Sequence, residues 1–229
     1  MADTSSPMSE AASRFRAGAV ALLGAGAALC AVSAAYTRRV GASRGFVRPP
    51  IDVVHEWIAP VPLRWQRPWI HDYALYLSFF VAAACLARCA QQRLDSVCWF
   101  AGLYGALLVG KAATMAATVV ESPLELCRDA ETRPSVTDHA CNDLMYSGHT
   151  CGLILCLLFV NELRAVPAVV KLVFAAWTAV GCAIVVGTRQ HYSADCIVAI
   201  IVTVLAFGNV RGGVGASLNE AAAPPIKTR

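Results

Sequence analysis

Two short segments of this sequence place histidine beside groups that move protons or hold anions. Residues 141–150 read CNDLMYSGHT and carry Ser147, Gly148 and His149; residues 187–195 read GTRQHYSAD, with His191 four residues ahead of Asp195. On a helix that spacing sets an imidazole and a carboxylate on one face. The carboxylate accepts from one ring nitrogen, fixes the tautomer and leaves the other nitrogen as a nucleophile. His149 is then available to protonate a leaving group and to deprotonate an incoming hydroxyl. Ser147 and Gly148, at the mouth of a helix, add backbone N–H groups and the positive end of its dipole, a seat for phosphate. Arg189 offers a guanidinium to the same anion. Each residue also has a plainer reading: Ser147 as a helix cap, His149 or His191 as a structural hydrogen-bonder, Arg189 as a contact to lipid headgroups. Two histidines and an i+4 aspartate at one membrane face weigh toward phosphoryl transfer.

The elements that must position these residues follow from composition. Of 229 residues, 57% are hydrophobic and 15% charged, against roughly 25% charged in soluble domains, and the mean hydropathy is +0.56. That excludes a soluble domain. A hydrocarbon core about 30 Å thick takes about 20 apolar residues per helix, and apolar runs lie at 17–36, 70–87, 97–120, 147–161, 167–186 and 192–210. The expectation is an all-α, polytopic membrane protein with six transmembrane helices: a disordered tail over 1–16, a membrane-embedded catalytic domain over 17–210 and a polar tail over 211–229. The first run has a basic start, as a signal peptide does, but it is near spanning length and lacks a clear cleavage site. The fifth run returns the chain between the fourth and sixth, so those two point the same way and bring His149 and His191 to one face.

The loop 121–143 is acidic, with six Asp or Glu against Arg128 and Arg133, while Arg88, Arg93, Arg164, Lys171 and Arg211 belong to the opposite face. By the positive-inside tendency the acidic face is non-cytosolic, although the Arg-rich connection 37–68 shares it. On that face Cys127 and Cys141 could pair, closing a loop worth about 3 kcal/mol; two free thiols are the equal alternative. The other eight cysteines lie in or beside apolar runs, where a thiol packs as a small apolar group. Lys111 falls inside the third run, where a cation marks a polar cavity or partner, or else snorkels. No basic stripe supports a nucleic-acid partner. His139, Cys141 and Asp143 match no familiar metal-ligand spacing, so no metal or cofactor is expected.

Asp143 through Thr150 and His191 through Asp195 resemble the paired motifs of the sphingomyelin synthase family, the transferase branch of the type 2 phosphatidic acid phosphatase superfamily. Lys111-Ala112-Ala113-Thr114-Met115 is similar to a further motif that ordinarily begins with Arg, and Pro49-Pro50-Ile51-Asp52 to a Pro-Pro-Leu-Pro-Asp element. The resemblance covers roughly residues 47 to 205. It implies six transmembrane helices, His191 as the nucleophile activated by Asp195, and His149 as the proton carrier. Lys111, Asp143, Ser147, Gly148 and Arg189 become candidates for substrate binding. The implied activity moves a phospho-headgroup, phosphocholine or a related group, from a glycerophospholipid to ceramide at an exoplasmic or lumenal face, often in the Golgi. The departures at Asn142, Lys111 and the Pro-Pro element leave headgroup and acceptor open. Diacylglycerol as acceptor, hydrolysis by a lipid phosphatase and a non-catalytic transporter or scaffold are the competing readings. Against hydrolysis, no Lys-x6-Arg-Pro element precedes His149.

Overall fold

A computed structural model describes residues 7–44, 51–57, 68–90, 93–119 and 145–219. Their elements are α1 (Pro7–Arg44), α2 (Val53–Trp57), α3 (Pro68–Cys89), α4 (Arg93–Ala117), α5 (Gly148–Glu162), α6 (Ala168–Gly187) and α7 (Ser193–Asn219). No strand occurs among the described residues. That is the outcome expected for a chain whose backbone polar groups must be satisfied within each segment where no water reaches them.

Among the described residues, five helices are long and apolar enough to cross a membrane: Glu10–Thr37, Ile70–Cys89, Leu94–Ala117, Ala168–Gly187 and Ser193–Asn219. The chain is therefore a multi-pass helical membrane protein. The expected count of six is not reached by this measure, because the sixth apolar helix, α5, has only 15 residues, about 22 Å of helix. Its surroundings explain how so short a helix is accommodated. Nine of its residues are buried, and α3, α4, α6 and α7 all pack against it. The helix is thus wrapped by protein and presents little surface to lipid.

Both ends of the helical body also differ from expectation. The first helix begins at Pro7 rather than near residue 17. Proline suits a first turn, the Met, Glu, Ala and Arg that follow are good helix formers, and Arg14 pairs with Glu10 at 2.6 Å. Farther along, Arg16 reaches Asp95 of α4 at 2.8 Å. At the other end α7 continues beyond residue 210 to Asn219, whose side-chain amide donates to the Glu162 carbonyl at 2.9 Å.

The contacts fix the directions of the helices. α1 and α4 run parallel, since Arg16 meets Asp95, Phe15 meets Trp99 and the Cys30 thiol meets the Leu108 carbonyl. α5 and α7 also run parallel, from the Ser147 N–H on the Asp195 carbonyl at 3.4 Å to Arg211 on Glu162 at 3.0 Å. Phe159 of α5 is fully buried between Phe100 and Phe207, with ring centroids 5.2 and 5.5 Å away. The outer faces keep Phe80, Leu172, Val173 and Leu205 exposed, as lipid contact requires.

Where α1 crosses α4, a Cβ on Gly105 would come within 2.5 Å of the Leu23 backbone nitrogen, and one on Gly26 within 2.5 Å of the Gly105 carbonyl. Small residues that let backbones touch are the usual adhesive between membrane helices. Gly105→Val should push the pair apart and lower stability by about 1–3 kcal/mol, the ordinary cost of overpacking. Gly24→Val, whose Cβ meets nothing within 4 Å, should leave the protein unchanged. Thermal unfolding of the two purified variants followed by size-exclusion profile distinguishes them; equal midpoints would refute the close-packing account.

Candidate active site

The segment entering α5 is pinned before it becomes helical. The Thr114 hydroxyl donates to the Met145 carbonyl at 2.6 Å and the Tyr146 hydroxyl to the Leu107 carbonyl at 2.5 Å, so two residues of α4 hold the turn. Ser147 then caps α5, its side-chain oxygen accepting from the Thr150 N–H at 3.2 Å. The capping reading of Ser147 is therefore what the hydroxyl does, while Gly148 opens the helix. The Lys111 stem lies against that glycine: a Cβ there would sit 3.4 Å from the Lys111 Cδ. Lys111 itself is buried and its charge acts on Asp195. It stands six residues before the end of α4 at Ala117, about 9 Å along the axis and so nearer the membrane face than an end at residue 120 implied.

His191 and Asp195 meet, but by a different route from the one the spacing implied. α7 begins at Ser193, so His191 lies in the turn before the helix and not on it. The turn folds back, placing its Nδ1 3.4 Å from the Asp195 Oδ2, and the same oxygen accepts the Tyr192 N–H at 3.0 Å. Both side chains are buried. The preceding Arg189 has φ 60°, a left-handed conformation unusual for a side chain of its size, and its guanidinium donates to the His55 carbonyl at 2.6 Å. That bond engages Arg189 in tethering α2. Asp143 lies outside the described residues, as do His139, Cys127 and Cys141; the other eight cysteines carry free thiols.

Three residues that the sequence reading did not assign complete the arrangement. The His149 Nε2 is 2.9 Å from the Asp72 Oδ1 on α3, and the His71 ring stands edge-on to the His149 ring at 4.3 Å. Each histidine of the predicted site thus has a carboxylate partner. The signal for Asp72 was a charged residue beside a histidine at the start of an apolar run, which reads equally as a boundary residue. Asp52, visible within Pro49-Pro50-Ile51-Asp52, accepts from the Ser193 N–H at 2.6 Å and from its hydroxyl at 2.8 Å, so it caps α7 across the site. The Ser147–Asp195 backbone bond and the Thr150 hydroxyl on the Cys196 sulfur at 3.4 Å level the starts of α5 and α7. His149 and His191 therefore stand at the same membrane face, each within four residues of that bond.

With this geometry in place, comparison with known proteins has a specific meaning. Residues 140–212 match the family described as PAP2 superfamily C-terminal, a stretch that contains both histidines, Asp195 and the turn between α6 and α7. That stretch is less than half of the chain. It is also similar to a phosphatidylethanolamine:ceramide ethanolaminephosphotransferase of Trypanosoma brucei brucei (strain 927/4 GUTat10.1), 29% identical over 146 residues. That match covers 52% of this chain and 42% of the relative's length, so it spans less than half of the protein it resembles. The resemblance to the sphingomyelin-synthase-like part of the PAP2 superfamily, read from the motifs, is borne out.

Outside the spanning segments, two groups of this candidate site have shifted acidities. Burial works to raise the Asp52 carboxyl, but the Ser193 N–H and hydroxyl, with His55, outweigh it and hold Asp52 below its ordinary value. Burial lowers His55, the Arg189 charge adds to that, and Asp52 opposes. A histidine whose folded value is depressed gives stability that is full above its unfolded value, about 6.5, and lost as the pH falls from there through the folded value. Asp52 is also depressed, so its contribution disappears only below about 4. Acidification from about pH 7.5 to about 5.5 should therefore lower the thermal midpoint through His55, and His55→Gln should flatten that slope. An unchanged slope in the variant would remove His55 as the source.

Proposed function

We propose that this protein is a membrane phosphotransferase that moves a phospho-headgroup, phosphoethanolamine, phosphocholine or a related group, from a glycerophospholipid to ceramide. The observation that carries the reading is the pair of carboxylate–imidazole contacts, His191 with Asp195 at 3.4 Å and His149 with Asp72 at 2.9 Å, at the levelled starts of two parallel helices. The likeness to a ceramide ethanolaminephosphotransferase supports the acceptor.

Asp195 faces the Nδ1 of His191, which leaves the Nε2 for phosphorus. In the first step that nitrogen attacks, a P–N bond forms, the P–O bond to diacylglycerol breaks, and His149 gives its proton to the departing alkoxide. In the second, His149 takes the proton of the ceramide hydroxyl, the oxygen attacks phosphorus and the P–N bond breaks, restoring His191. Asp72, 2.9 Å from the His149 Nε2, stabilises the imidazolium that His149 is before the first step and becomes again in the second, and His149 is neutral in between. Lys111 supplies positive charge near Asp195 as the phosphorus oxygens gain charge, and the N–H groups at the start of α5 add to it. Arg88, Arg164, Lys171 and Arg211 lie toward the ends of helices opposite the site, which supports a cytosolic position for those ends and a site facing the lumen or exterior, as in the Golgi.

The test uses the full chain in liposomes with fluorescent ceramide or diacylglycerol, and phosphatidylethanolamine, phosphatidylcholine or phosphatidylinositol offered separately. A phosphorylated sphingolipid should appear with one donor preferred. His191→Ala should abolish it, and His149→Ala should slow it about 10²–10⁴-fold. Transfer only to diacylglycerol would replace the acceptor; release of headgroup phosphate without lipid product would replace transfer by hydrolysis. Activity retained in His191→Ala would sink the mechanism.

Asp72→Asn keeps the shape but not the charge, so kcat should fall about 10–100-fold, the range typical of losing a group that orients a functional histidine, with KM little changed. An unchanged kcat, or a fall that accompanies loss of the folded size-exclusion peak, would make Asp72 structural only.

A further inference from the structure

One nitrogen from each of His71 and His149 and one oxygen of Asp72 lie within 4.8 Å of one another. We propose that these three residues form a binding site for a divalent transition-metal ion of the zinc type, and that an ion bound there switches the site off. The chemistry of the set is that of zinc: neutral imidazole nitrogens with a carboxylate oxygen, three protein ligands and a fourth position left open. Two ligand atoms on one tetrahedral ion, with bonds of about 2.0–2.2 Å, stand roughly 3.4 Å apart. The His149 Nε2 is 2.9 Å and the His71 Nε2 3.8 Å from the Asp72 Oδ1, so the two observed separations bracket that value. Small side-chain rotations suffice to seat an ion.

The two imidazoles come from different helices, α3 and α5, and stand edge to face at 81° rather than stacked, and each keeps a ring nitrogen within 4.8 Å of the other ligand atoms. Access is asymmetric in a useful way. The His71 side chain is 6% exposed, whereas His149 and Asp72 are 26% and 37% exposed, so an ion enters from the His149 side and finds its last ligand fixed behind it. Once bound, it occupies the lone pair on which His149 depends for carrying protons. This consequence for activity rests on the proposed function; metal binding itself does not.

The experiment uses the full chain, purified without a polyhistidine tag, in nanodiscs. Co2+ titrated into it should develop visible d–d absorption of a low-coordinate nitrogen and oxygen site, and Zn2+ should bleach that signal by displacement. His71→Asn should lose the signal or weaken Co2+ binding by at least the roughly tenfold that even orienting changes cost a metal site. In the transfer assay, Zn2+ should inhibit reversibly, with full recovery on chelation. His71→Asn, referred to its own metal-free rate, should need about tenfold more Zn2+ for the same fractional inhibition. Should His71→Asn give a broken size-exclusion profile, Asp72→Asn serves as the second variant for the Co2+ measurement alone. Absence of Co2+ absorption, or absorption that survives both substitutions, overturns the proposal. A Co2+ signal lost in His71→Asn, in a protein without transfer activity on any lipid, would leave the metal site standing and remove the proposed function instead.

Discussion

A helix that crosses hydrocarbon must satisfy its own backbone, so a membrane protein has few places where N–H groups, charges and catalytic side chains can gather. The ends of helices are those places. Here the constraint is met by bringing the starts of α5 and α7 to one level and joining them through the Ser147 N–H and the Asp195 carbonyl at 3.4 Å. That contact sets the register in which Thr150 meets Cys196 and, far down the pair, Glu162 meets Arg211. The turn before each helix is then held from outside, by Thr114 and the Leu107 carbonyl of α4 on one side and by Asp52 on the other.

Much of the site was legible in the sequence because its parts are local. Ser147-Gly148-His149 and His191 through Asp195 are contiguous strings, and their helices point the same way once the order of apolar runs is known. The His191–Asp195 contact was expected from helical spacing and occurs, yet through a turn that closes before Ser193, a geometry that four-residue spacing alone does not distinguish. Arg189 carried a charge suitable for phosphate, but its observed bond goes to the His55 carbonyl, a partner more than a hundred residues away in sequence that no local pattern announces.

Asp72 was missed for the same physical reason. Its relation to His149 joins residues 77 positions apart across two helices, and sequence periodicity gives no rotation of one helix against another. The span count differs for another reason. Length and hydropathy identify helices that face lipid, and α5 is wrapped by four others, so the criterion that finds its neighbours applies poorly to it. The early start of α1 was likewise hidden, because polar helix formers next to a spanning run look like a tail until Arg16 is seen to reach Asp95.

The shortness of α5 bears on where a lipid must sit to react. Its far end is anchored beside Arg164 and Arg211, charges that belong at a membrane boundary. From there 15 residues rise about 22 Å through a hydrocarbon layer of about 30 Å. The helix start, with His149 in its first turn, thus falls some 8 Å short of the thickness of that layer. Under the proposed function, a phospholipid reaches that depth sideways from the leaflet, with both tails still solvated by neighbouring chains and without being lifted into water.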